Sequence, residues 1–131
     1  MPLYRALFKG VVWFGVLANF AFAAFVLFMD PAKLVSWLNL GTVPSTVWIY
    51  NYSILLVILS CFYIPAAHDP FRYRANAWLL IVGRLVPATS FFIGTCLGFM
   101  PKGFVTLGIG DGTVGLIELF LLVKLIRAEK A

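Results

Sequence analysis

Charge is scarce in this chain. Asp, Glu, Lys and Arg make up only 11% of its 131 residues, against about 25% in soluble domains. Five residues are acidic, one is histidine and two are cysteine. Such a chain cannot dress a water-facing surface, so a soluble globular domain is excluded. It also leaves little material for chemistry. There is no nucleophile–base arrangement, no pair of carboxylates and no phosphate loop, so no catalytic residue is assigned. The single histidine, His68, cannot build a zinc site, which takes three or four ligands, and no good second axial ligand is present for haem. No metal site and no bound cofactor are expected.

What replaces charge is apolar bulk. Hydrophobic residues reach 63%, where about 45–50% is ordinary, and they fall in continuous runs rather than in alternation. In lipid the backbone must satisfy its own hydrogen bonds, so only helices or closed barrels cross, and barrel strands would alternate. The expected fold is therefore all-α, an integral membrane four-helix bundle in a single domain. Its spans are expected at about 10–29, 46–64, 75–97 and 113–126, each set against a hydrocarbon core of ~30 Å. Arg5 and Lys9 before an apolar stretch, with Ala21-Phe22-Ala23, resemble a signal peptide. The run continues to Met29, longer than such a segment needs, so it is expected to be retained.

Between spans one and two, Asp30-Pro31 opens a segment with Leu34, Trp37 and Leu38 at helical spacing. It is too short to cross and is expected to lie at the interface. Trp48, Tyr50, Tyr52 and Tyr63 mark the ends of span two as an aromatic belt would. Pro87 is expected to kink span three. Phe99 to Gly112 is expected as a glycine-rich connection, and Asp111 as the cap of span four. Gly110 to Gly115 matches G-x-G-x-x-G, but lacks the preceding strand that a dinucleotide site requires. Cys61 and Cys96 fall near opposite ends of neighbouring spans and are expected to be unbridged, with a structural apolar role.

The net charge of +5 does not point to nucleic acid, because the basic residues sit at the ends of the runs and not on one face. They read instead as topology. With the N-terminus inside, Arg5, Lys9, Arg72, Arg74, Lys124, Arg127 and Lys130 lie on the cytoplasmic side, and only Lys33 and Lys102 outside. Seven against two favours both ends in the cytoplasm.

Arg84 is left inside a span. An ion in hydrocarbon costs ~2.5–3.5 kcal/mol on insertion scales, so it needs a partner. Arg84 lies about 15 Å beyond Arg74, and Glu118 about 13.5 Å before Arg127, at 1.5 Å per residue. Antiparallel neighbours would bring them to one level as a buried ion pair. Asn19 and Ser53 fall near that level, which gives an expected polar layer of Arg84, Glu118, Asn19 and Ser53. Two roles stay open for it: a clasp fixing helix register, or a site for a polar head group, quinone or proton. The densest polar stretch, His68, Asp69, Arg72, Tyr73 and Arg74, is either positive-inside anchoring or a docking loop for a partner subunit or anionic lipid.

The order of these elements resembles the small four-helix membrane proteins of the DoxX-like group. The resemblance rests on the basic N-terminus, the Asp30 to Leu40 segment, the Asp69-Pro70-x-Arg72-Tyr73-Arg74 loop and Arg84 within span three, and it extends over nearly the whole chain. A clear second basic pair in span four is missing. Some members are similar to subunits of quinone-linked oxidoreductases, which implies a place near electron transfer. The expected function is thus an accessory or anchor subunit of a larger inner-membrane complex, in contact with lipid and possible quinone. The alternative is a small homo-oligomeric transporter or lipid-binding protein that uses the Arg84–Glu118 layer.

Overall fold

The structure is a computed structural model that describes residues 2–42 and 45–130. Among the described residues there are five helices and no strands: α1 (Pro2–Phe28), α2 (Pro31–Trp37), α3 (Val47–His68), α4 (Arg74–Cys96) and α5 (Gly103–Lys130). Three of them, α1, α3 and α4, are long and apolar enough to cross a membrane. At 1.5 Å per residue, the 28 residues of α5 extend about 42 Å.

The four long helices pack as a closed circuit: α1 against α3, α3 against α4, α4 against α5, and α5 back against α1. Their outward faces are apolar, with Phe14, Leu17, Leu55, Val86, Ile93 and Phe120 exposed. Polar side chains on these outer faces bond to their own helix. Thr89 Oγ1 donates to the Leu85 carbonyl at 2.7 Å and Ser90 Oγ to the Val86 carbonyl at 2.9 Å, which satisfies both hydroxyls within the helix.

Both prolines inside helices are accommodated: α3 continues through Pro65 to His68, and α4 runs through Pro87. Asn76 Nδ2 donates to the Phe62 carbonyl at 2.7 Å, a bond from α4 to α3 close to Pro65. Asp30 caps α2, its side chain accepting from Ala32 N at 3.0 Å, with Pro31 in the first turn as that position favours. Leu34 and Val35 form the buried face of α2, while Trp37 points outward with its ring 6.1 Å from that of Phe25.

One end of the molecule collects both termini and the α3–α4 loop. Arg5 Nη2 lies 3.3 Å from Asp69 Oδ1, and Arg74 pairs with Glu129 near the end of α5. The other end collects α2 and the α4–α5 connection, where Gly103 N donates to the Asn39 carbonyl at 3.2 Å. The interior divides accordingly. One cluster joins Phe8, Val12, Val16, Tyr63, Leu80 and Leu122 towards the termini, and a second joins Val26, Leu34, Val35, Leu40 and Ile49 under α2.

The largest departure from the sequence reading is in α5. The stretch expected as a connection is helical from Gly103 onward. Two of its glycines face α4: a Cβ at Gly108 would touch Ala88, Phe91 and Phe92, and one at Gly112 would touch Ala88. Small residues here let two backbones approach, as they do between membrane helices.

Candidate functional site

Arg84 stands ten residues into α4 and is 4% exposed. Two carboxylates of α5 hold it. Its Nη1 donates to Asp111 Oδ1 at 3.0 Å, and its Nε lies 3.2 Å from Glu118 Oε2. Asp111 and Glu118 are seven residues apart, two helical turns, so they share the face of α5 that meets α4. Asp111 therefore does not cap a helix; it sits inside one and supplies the second anion. The third wall is α1. Gly15 lies directly against the guanidinium, and a Cβ there would fall within 2.9 Å of Arg84 Cζ and closer still to Nη2. Tyr63 of α3 closes the far side, with the Arg84 guanidinium carbon 6.0 Å from its ring centroid.

The arrangement is not saturated. Arg84 Nη2 is buried without a hydrogen-bond partner, and neither Glu118 oxygen receives a well-directed bond. Charge is also unbalanced: one guanidinium faces two carboxylates, a formal excess of one negative charge when both are ionised. Glu118 is completely buried, whereas the Asp111 side chain is 29% exposed.

That exposure comes from a cavity of about 260 Å³ between α1 and α5, lined by Gly15, Ala18, Asn19, Tyr52, Arg84 and Asp111 among others. A second chamber of about 220 Å³ is walled by Phe22, Leu40, Trp48, Tyr52, Phe91 and Phe104. Phe22, Tyr52 and Leu107 border both spaces. The pair thus consists of a mostly apolar chamber with Asn19, Arg84 and Asp111 at its wall, and a wholly apolar, aromatic one beside it.

Of the other expected layer members, Asn19 reaches the Arg84 cavity and Ser53 does not. Asn19 Nδ2 donates to Ser60 Oγ at 2.9 Å, so Ser60 is its partner on α3. Ser53 is buried, but its hydroxyl turns back to the Ile49 carbonyl at 2.8 Å and it does not line the Arg84 cavity. Tyr52, one position earlier, does.

In the loop, the polar groups are engaged within the chain. The Asp69 carboxylate accepts from Phe71 N at 3.1 Å and Arg72 N at 3.3 Å. The Arg72 N–H, then the Phe71 N–H and the positive charges of Arg5 and Lys9, hold its pKa below the usual carboxylate value despite some desolvation. Arg5 also lies over the Phe71 ring, and Arg72 over that of Tyr73. His68 meets Trp13 edge to face, 6.2 Å between centroids. Cys61 and Cys96 are free, as expected, and exposed. Among the described residues, no group of three His, Cys, Asp or Glu side chains is placed to hold a metal ion.

Searches against protein-family models, curated proteins and solved structures find no match to this chain.

Proposed function

We propose that the chain is a four-crossing protein of the inner (cytoplasmic) membrane, a four-helix bundle with both ends in the cytoplasm, which binds a small amphiphile at Arg84. The observation that carries this reading is an open cavity lined by Arg84 and Asp111, with a buried, unsatisfied Nη2 on that arginine. A clasp that served only to fix register would be expected to close on itself, because an unmet buried donor costs ~1–3 kcal/mol. Binding pockets combine a mostly apolar wall with a few convergent polar groups, and the two adjoining chambers have that make-up. The orientation draws on the seven-against-two distribution of basic residues and on the meeting of both termini with the α3–α4 loop at one end. In this arrangement α2 lies at the outer interface and α5 crosses with the other three.

Native mass spectrometry of protein released from mild detergent tests the proposal. A bound small molecule should be carried by the wild-type chain and lost when the cavity is filled by Gly110→Phe. Equal spectra for the two would count against it.

A second reading retains the DoxX-like resemblance and makes the chain an accessory subunit of a larger, quinone-proximal complex. Its support is the band of large exposed aromatics, including Phe14, Phe28, Phe92 and Phe120, a surface another membrane subunit could cover. Recovery of the chain without any partner after mild extraction would exclude it.

A further inference from the structure

We infer that the Arg84 site selects a neutral, hydroxyl-headed amphiphile, such as a long-chain alcohol or an acylglycerol, that enters sideways between α1 and α5. This deepens the ligand-binding reading above and rests on it. The route comes from exposure. Phe14 and Ala18 on α1, and Thr106 and Gly110 on α5, line the cavity and are themselves exposed on the flank of the bundle. The cavity therefore opens on the flank of the bundle, beside the middle of α1 and the first half of α5. A ligand would come from the surrounding lipid.

The head group follows from what the site leaves unmet. The unpartnered group beside the cavity is a donor, Arg84 Nη2, lodged against cavity-lining Gly15 on a side chain 5% exposed. It calls for an oxygen acceptor. A cationic head would meet the Asp111 carboxylate at the cavity wall but carries no acceptor, so it would leave Nη2 unmet and set a second cation beside the guanidinium. The unmet oxygens of Glu118 do not compensate, because Glu118 is fully buried and does not line the cavity. An anionic head would add to a triad that already holds one negative charge too many, and burying uncompensated charge is costly. A hydroxyl meets both demands: its oxygen accepts from Nη2 and its hydrogen is donated to Asp111 or to the Asn19 amide oxygen, both at the cavity wall. The tail then passes Phe22 and Tyr52 into the apolar chamber and ends near Trp48.

The test uses a chain whose sole tryptophan is Trp48, held in amphipol, and three terminally brominated probes with one tail: dodecanol, dodecanoate and dodecyl-trimethylammonium. Bromine at the tail end quenches Trp48 on arrival. The dodecanol probe should quench saturably and at least tenfold more tightly than the other two. Gly110→Phe should weaken it at least tenfold; a Cβ at Gly110 meets nothing within 4 Å, so the backbone has room for a side chain whose ring obstructs the mouth, and an unchanged circular-dichroism spectrum checks the fold. Tighter, Gly110→Phe-sensitive quenching by dodecanoate or the ammonium probe overturns the hydroxyl assignment and leaves the site standing. Quenching by all three that is unsaturable or insensitive to Gly110→Phe is plain partitioning and overturns both.

Discussion

Gly15→Ala should destabilise the protein even though alanine is the better helix former. On propensity alone the change favours the helix by up to about 1 kcal/mol. Geometry opposes it. The new methyl group would overlap Arg84 Nη2 and stand 2.9 Å from Cζ. The guanidinium has no free direction of retreat, since Nη1 is held by Asp111 at 3.0 Å and Nε lies 3.2 Å from Glu118. Overpacking of a filled interior costs ~1–3 kcal/mol. Were the guanidinium to swing away instead, Glu118 would lose its counter-charge, at ~3–5 kcal/mol for a broken buried pair. The cheaper route sets the expectation, a net loss of up to about 2 kcal/mol. Gly10→Ala on the same helix is the control, because a Cβ there meets nothing within 4 Å; it should be neutral or slightly stabilising. Thermal unfolding in detergent, followed by helical circular dichroism, reads both. If Gly15→Ala melts at or above Gly10→Ala, the guanidinium does not lie against α1 and the construction of the site is wrong.

Arg84→Met should cost ~3–5 kcal/mol by stranding Glu118, and Arg84→Met combined with Glu118→Met should recover part of that loss; a double-mutant cycle measured by unfolding would refute the pairing if the two changes simply add. Gly103→Ala should weaken the α2 end by ~1–3 kcal/mol, because its Cβ would strike the Leu38 and Asn39 carbonyls; hydrogen exchange at α2 as slow as in wild type would contradict this. Asp69, whose pKa is lowered in the folded chain, should stabilise the loop above the ordinary carboxylate pKa of 3.8 and progressively less as pH falls below it. Melting temperature against pH should therefore drop less steeply at the acid end in Asp69→Asn, and parallel curves would remove Asp69 from the account.

The Arg84–Glu118 relation was legible because two quantities agreed: both residues lie a similar number of helical turns from basic residues at one end, and antiparallel neighbours keep levels aligned. Asp111 was hidden by its flanks. Gly110 and Gly112 read as loop punctuation in water-soluble sequences, whereas between packed membrane helices glycine is a contact residue. The 3–4 spacing of Gly108, Asp111, Gly115, Glu118, Leu122 and Leu125 was the available signal; all but Asp111 are buried on α5, and that stripe extends the helix through the glycines. Ser60 and not Ser53 meets Asn19, because rotation about the helix axis decides which of two serines faces α1, and sequence level alone does not carry that rotation. Gly15 carried no signal at all, since its role is to leave room for a side chain from a helix distant in sequence. The cavity likewise is walled by residues of four helices distant in sequence, a tertiary property without a local pattern.

An experimental structure of the protein in a lipid phase would test the central claim most directly. The account predicts elongated density, not belonging to the chain, that starts within hydrogen-bond distance of Arg84 Nη2 and passes Phe22 and Tyr52 towards Trp48. Helices α1 and α5 closed on one another, with Arg84 Nη2 bonded to a protein group and no space beside Asp111, would contradict it.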